Sequence, residues 1–215
     1  MGLPRTEARV HDELPPVALL LSEIERLKRE LALARARIGE LEARADIDPM
    51  LDILNRRGFE RELKRSIAYM KRYGTQAALM FIDLDGFKAV NDRHGHGTGD
   101  ALLKAVAREL VARVRASDVV GRLGGDEVGV VIWWVDEADA LAKARELERL
   151  IERVGVMHGQ AQAQVTASVG AAPLLADATA AEIIAVADQA MYARKKEKKG
   201  GFPGLDRPGP ASVMR

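Results

Sequence analysis

Asp126 and Glu127 stand side by side immediately after Gly124-Gly125, and Asp83 closes an apolar run earlier in the chain. Adjacent acids with no bulky side chain before them are suited to hold a hard divalent cation through oxygen. The glycines let a large ligand come close to the backbone. Left alone, three converging carboxylates repel one another and some take up protons. A divalent cation removes that conflict, and an oxygen-only donor set favours Mg2+ or Mn2+. Cations held by few carboxylates complete their shell with substrate phosphates, which points to a nucleotide. The plain alternative is a tight surface hairpin with solvated acids. No G-x-x-x-x-G-K-S/T run is present. That excludes a Walker-type site, and Gly95-His96-Gly97-Thr98-Gly99, which precedes no suitable βαβ crossover, is discounted as a Gly-rich phosphate loop.

Turn signals and periodicity predict the elements that must position these acids. Two glycines flanked by apolar runs predict a hairpin, with Val119 to Leu123 rising and Val128 to Val135 returning. Gln76 to Ile82 is an apolar run of strand length, ended by the acidic turn Asp83-Leu84-Asp85-Gly86. A short helix is expected over Phe87 to Asp92, then a Gly/His-rich loop, Arg93 to Gly99. Asp100 to Arg115 is an amphipathic helix with Leu103, Val106, Leu110 and Val114 on one stripe. Asp46-Ile47-Asp48-Pro49 breaks any preceding helix, and Asn55 is placed to cap a helix running to about Tyr73. Beyond the hairpin, Glu137 to Val154 reads as helix, Gln164 to Ala171 as strand, and Thr179 to about Lys196 as helix. The middle of this order is βαββαβ, a ferredoxin-like α+β arrangement with helices packed on one face of an antiparallel sheet. There the first strand and the hairpin lie side by side at the sheet centre, so Asp83, Asp126 and Glu127 converge at one edge.

The 215 residues suffice for one domain with a substantial core plus an appendage. With 33 basic and 32 acidic residues the net charge is +1, which leaves no electrostatic footprint for nucleic acid or an anionic membrane. The chain holds no cysteine, which excludes disulfides, zinc–thiolate sites and cysteine nucleophiles. The apolar run Val17 to Leu21 is too short for a membrane span and lacks a signal-peptide layout, so a cytoplasmic protein is expected. Residues 1–16 read as a disordered lead and 200–215 as a flexible tail. Within 17–46, Val17, Leu20, Ile24, Leu27, Leu31, Ala34, Ile38, Leu41 and Ala45 recur at alternating spacings of three and four. That is an a/d seam of about four heptads. In a parallel in-register dimer the facing g and e residues are Glu23–Lys28, Glu30–Arg35 and Arg37–Glu42, all opposite in sign. Val or Ile at most a positions and Leu at most d positions favour two strands. A parallel homodimer is expected, in preference to one amphipathic helix packed on its own domain.

Phe81-Ile82-Asp83-Leu84-Asp85-Gly86-Phe87-Lys88-Ala89-Val90-Asn91-Asp92, Gly95-His96, Gly99-Asp100 and Gly124-Gly125-Asp126-Glu127 closely resemble the GGDEF domain of diguanylate cyclases. The flanking Asp48-Pro49, Asn55 to Phe59 and Ala187-Asp188-Gln189-Ala190-Met191-Tyr192 resemble motifs that open and close that domain. The resemblance covers residues 47–199. It implies a ferredoxin-like core related to the palm of class III nucleotidyl cyclases. It also implies condensation of two GTP into cyclic di-GMP with release of pyrophosphate, one GTP half-site per domain of a dimer, and two Mg2+ or Mn2+ per site.

Carried over by position, the resemblance makes Asp83, the backbone carbonyl of Leu84, and Glu127 metal ligands. Asp126 takes a metal-binding or proton-accepting role, and Gly124 and Gly125 form the turn against the nucleotide. Asn91 and Asp100 match residues that hydrogen-bond the guanine edge. A carboxylate accepts from guanine N1–H and N2–H together, which adenine cannot offer. Lys88 and His96 fall near the ribose and phosphates, with Lys88 counted in the catalytic set, and Lys195 falls on a phosphate-binding lysine. Arg115-Ala116-Ser117-Asp118 matches the R-x-x-D site at which cyclic di-GMP inhibits, with Arg115 and Asp118 as its contacts.

The departures are specific. Val128 replaces Phe at the fifth signature position, Leu51-Asp52 replaces Thr-Gly, and His94 replaces an aromatic. Lys198-Lys199-Gly200 replaces Gly-Arg-Asn, so Lys199 supplies a charge at the substrate without a bidentate fork. An apolar final strand is not apparent. The alternatives are a non-catalytic module that binds cyclic di-GMP or GTP and signals by contact, and a coiled-coil scaffold. No sensor domain is recognisable, so the input is expected from an upstream sensor or partner protein.

Overall fold

The computed structural model describes residues 17–158 and 161–200. The expected lead before Val17 and tail after Gly200 lie outside them. The chain divides into two units at Ala45. The first contributes one helix, α1 (Val17–Ala45). Its seam positions Ile24, Leu27 and Leu31 are 46%, 50% and 50% exposed.

In the second unit, the pattern that predicts a cap at Asn55 produces α2 (Arg56–Tyr73). The Asn55 side chain accepts from Gly58 N–H at 3.0 Å, and Gly74, at φ 67°, closes the other end. β1 (Ala77–Asp85) follows, then α3 (Phe87–His94), α4 (His96–Arg113), β2 (Val119–Arg122), β3 (Glu127–Trp133) and α5 (Glu137–Glu152). A small hairpin, β4 (Gly155–His158) and β5 (Ala161–Gln164), precedes β6 (Thr166–Pro173) and α6 (Ala180–Gly200). The four-stranded sheet has the order β2-β3-β1-β6, with antiparallel pairing throughout. The βαββαβ order and the central place of β1 beside the hairpin are as expected.

Three expectations are corrected. Helices cover both faces of the sheet. Met80, Ile82 and Leu84 pack with Leu102, Leu110, Leu147 and Ile151 of α4 and α5, while Leu79 and Phe81 pack with Phe59, Leu63, Ile183 and Met191 of α2 and α6. The uninterrupted apolar run of β1 fits this, because a strand buried on both sides has no polar alternation. Second, the acidic turn is not a turn. β1 continues through Asp85, which keeps Asp83 within the sheet. Third, the Gly/His-rich segment is no loop: only Gly95, at φ 80°, separates α3 from α4, and Thr98 Oγ1 donates to His94 O at 2.9 Å.

Two local features position α6. Gly170 of β6 lets the helix backbone approach closely, since a Cβ there would meet Ala187 O and Met191 N at 2.1 Å. The exposed edge of β6 is also covered. Buried Glu148 of α5 accepts from Val169 N–H at 3.2 Å. It also accepts from Arg194 at 2.9 Å and Lys198 at 3.0 Å, both on α6. Lys198 donates in turn to Ala167 O. Backbone groups that would invite another strand are thereby satisfied. Burial alone would raise the Glu148 pKa, but the Arg194, Lys198 and backbone donors outweigh it and hold it low.

Candidate active site

The antiparallel register sets Asp83 of β1 directly opposite Glu127 of β3, with Ser168 of β6 on its other side. Leu84 N–H donates to Asp126 O at 3.2 Å, tying the hairpin turn to β1. Three carboxylates therefore meet at one end of the two central strands. Their proximity is felt electrostatically. Burial, and then the Asp83 charge, push the Asp126 pKa above its ordinary value. Burial, Asp83, Asp126 and Asp188 do the same for Glu127.

Lys195 of α6 supplies the counter-charge, through an ion pair to Asp83 and a 3.8 Å approach to Asp85. Burial would lower its pKa, but the Asp83 contact prevails and Lys195 is held above the usual lysine value. Among the described residues no three Asp, Glu, Cys or His side chains form a metal cage by themselves. The donor set still suits a hard cation that takes its other ligands from backbone carbonyl and phosphate oxygens.

The turn itself is held from behind. Arg122 donates to Gly124 O at 2.9 Å and Gly125 O at 2.8 Å, and pairs with Asp48 at 3.0 Å. Asp48 also accepts from the N–H groups of Met50 and Leu51, both at 2.9 Å. Arg56 adds a bond to Leu123 O at 3.2 Å. A Cβ on Gly124 would lie 2.3 Å from the Glu127 carboxylate, whereas Gly125 faces open space. Val128 is buried and pairs with Ile82 and Arg122, so the signature departure is a core packing position. Arg122→Ala removes the clamp and leaves Asp48 without its charged partner. It is expected to cost about 1–3 kcal/mol in chemical denaturation. Arg108→Ala, on the exposed side of α4, should stay within about 0.5 kcal/mol.

The guanine-edge candidates are also brought together. The half-buried Asn91 of α3 lies against Gly99, where a Cβ would meet its Oδ1 at 1.9 Å, and Asp100 is the next residue of α4. Asn91 Oδ1 is buried with no hydrogen-bond partner. Lys88 and His96 are exposed on α3 and at the start of α4. Lys199 shares a cavity wall with Lys195.

Arg115 and Asp118 stand at the end of β2 away from the turn. Asp118 is engaged structurally: its carboxylate accepts from Arg115 N–H at 2.8 Å and Trp133 N–H at 3.1 Å. Arg115 is exposed beside a cavity of about 600 Å3. Sequence reasoning missed Arg122 and Glu148. Arg122 was visible only as one residue of the rising strand, and Glu148 only as one acid on a charged helix.

Comparison with known proteins accords with this geometry. The family model described as "Diguanylate cyclase, GGDEF domain" matches residues 45–201. The bifunctional diguanylate cyclase/cyclic di-GMP phosphodiesterase MucR of Pseudomonas aeruginosa is 37% identical over 190 residues, covering 86% of this chain. The chain spans only 27% of that relative's length. A sensory box/GGDEF family protein from Caulobacter crescentus aligns with a TM-score of 0.66 at 34% identity, over 71% of this chain and 99% of that one. The GGDEF domain of DgcB from the same organism, in complex with c-di-GMP, aligns with a TM-score of 0.67 at 26% identity, over 71% and 91%. With the family model spanning residues 45–201 and the carboxylates gathered at the glycine turn, the chain belongs to the GGDEF family.

Proposed function

We propose that two copies of this chain condense two GTP molecules into cyclic di-GMP and release two pyrophosphates. The observation that carries this reading is the register that sets Asp83 opposite Glu127, with Asp126 at the adjoining turn. Each 3′-hydroxyl oxygen forms a bond to the α-phosphorus of the other nucleotide as that phosphorus loses its bridge to the β-phosphate. Asp126, which the Leu84 N–H bond to its carbonyl ties to the end of β1, is placed to accept the hydroxyl proton or to hold a metal ion. Asn91 and Asp100 take the guanine edge, whose N–H donors would satisfy the unpaired Asn91 oxygen. His96 lies toward the ribose, while Lys88, Lys195 and Lys199 face the phosphates. Two Mg2+ or Mn2+ ions, held by Asp83, Asp126, Glu127 and the Leu84 carbonyl, would neutralise charge on the reacting phosphates.

One domain offers half of this site, so two domains must face each other. The exposed seam of α1 supports a coiled-coil homodimer that raises the effective concentration of the second half. A partner acting on this helix would change that concentration, which gives an upstream sensor a point of control. Cytoplasmic GTP as substrate sets a cytoplasmic location; among the described residues no helix is long and apolar enough to cross a membrane.

Incubation with GTP and Mg2+ should yield cyclic di-GMP on chromatography. GTP binding without product would instead favour the non-catalytic module. For Arg115, product inhibition is expected through its exposed guanidinium. Arg115→Ala should raise the inhibition constant for cyclic di-GMP at least about tenfold with little change in initial rate. An unaltered constant would remove this residue from the inhibitory site.

A further inference from the structure

A cavity of about 880 Å3 lies between α5 and the end of α6, with Asp85, Gly86 and Thr166 also on its lining. Most charges around it are already engaged. Arg194 is paired with Glu148 at 2.9 Å and Glu197 at 3.3 Å, and Lys198 with Glu148 at 3.0 Å. Lys195 is paired with Asp83. Three lining cations remain without an ion pair among the described residues: Arg145 and Arg149, one turn apart on α5, and Lys199 on α6. Glu152 is the one lining carboxylate likewise unengaged.

The geometry points to this cavity as a diphosphate pocket in which Arg145 and Arg149 grip the ligand from the α5 wall and Lys199 from the α6 wall. The inference rests on the GTP reading of the neighbouring carboxylate site. Lysine is a point charge, whereas arginine offers a planar fork that binds two phosphate oxygens at once. Lys199 stands where the resemblance places an arginine, so the fork lost on α6 is supplied from α5. Alternation along α6 makes this arrangement possible. Arg194 and Lys198 bind Glu148 and fix the last turn, while Lys195 and Lys199, each one residue later, lie on the adjoining stripe. The Asp85-Gly86 end of β1 and Lys195 connect the pocket to the carboxylates. A diphosphate there is either the β,γ-portion of bound nucleotide or the pyrophosphate that leaves.

Calorimetric titration of the full chain with inorganic pyrophosphate tests the pocket without any turnover. Arg145→Ala/Arg149→Ala is expected to weaken pyrophosphate binding at least about tenfold, with Arg145→Lys/Arg149→Lys between it and the parent. Arg108→Ala, which removes a charge from exposed α4, should leave binding unchanged. Circular dichroism and the thermal midpoint check that the exposed α5 substitutions keep the fold. A parallel loss of affinity for a non-hydrolysable GTP analogue assigns the pocket to bound nucleotide; loss for pyrophosphate alone assigns it to the leaving product. Equal pyrophosphate affinity in parent and double variant, or none in a parent that converts GTP, overturns the pocket. Pyrophosphate binding that depends on the arginines in a protein that makes no cyclic di-GMP keeps the pocket and overturns the cyclase reading.

Discussion

Asp126→Asn is expected to reduce cyclic di-GMP formation by about a thousandfold or more, and at the same time to raise the thermal midpoint of the unliganded protein at neutral pH. The two effects share one cause. Burial and Asp83 raise the folded-state pKa of Asp126, and burial with Asp83, Asp126 and Asp188 raises that of Glu127. Between the unfolded and the folded pKa, the native state binds more protons than the unfolded chain. Stability of the unliganded protein therefore falls as pH rises through that window, and the ionised carboxylates remain a cost above it. Asparagine carries no charge, so the variant escapes the cost and should show a flatter dependence of midpoint on pH. A divalent cation that binds the native state stabilises it by mass action, so Mg2+ should raise the parent's midpoint more than the variant's. Retained turnover would exclude Asp126 from the chemistry. An unchanged or lowered midpoint at neutral pH would show that the turn holds its charge without strain.

Much of this site is legible in the sequence because it is local or set by strand register. The double glycine and adjacent acids announce a turn, and an apolar run of strand length ending in Asp83 brings the third acid to it once the strands pair. The rest depends on contacts that spacing does not reveal. Gly95 to Gly99 reads as a loop because glycine disfavours helix, yet the close fit of Gly99 against Asn91 and the Thr98 bond to His94 draw that segment into α4. The β4–β5 hairpin has strands of only four residues, and the alternation of Ala161 to Gln164 rests on small alanines, which is a weak apolar signal. Arg122 with Asp48, and Glu148 with Arg194 and Lys198, join residues far apart in sequence. The helices on both faces are signalled by the composition of β1, not by the element order, which alone suggests one covered face. Ala77 to Ile82 has no polar alternation, which a half-exposed strand would need.

Ile24→Lys/Leu31→Lys is expected to separate the proposed dimer and to lower turnover at nanomolar enzyme by about a hundredfold or more, within the range that loss of tethering produces. Both positions lie on the seam and are about half exposed, 46% and 50%, in the single chain. Covering the exposed half of each against a second helix would contribute about 1 kcal/mol per side chain, and a charged lysine at each a position removes that gain and adds the cost of a buried charge. Raising the enzyme concentration should restore specific activity, because two untethered half-sites then meet by collision. Turnover proportional to enzyme at all concentrations, or a dimer intact by sedimentation, would sink the tethering idea. The flanking charges should matter less than the seam. Glu23 and Glu30 both pair with Arg26 on their own helix at 2.6 Å, so pairing across to Lys28 and Arg35 must compete with contacts already made. Exposed pairs of this kind contribute about 0.3–0.5 kcal/mol each. Lys28→Glu/Arg35→Glu should therefore weaken the dimer far less than the two seam lysines, and the order of these variants separates a dimer held by packing from one held by charge.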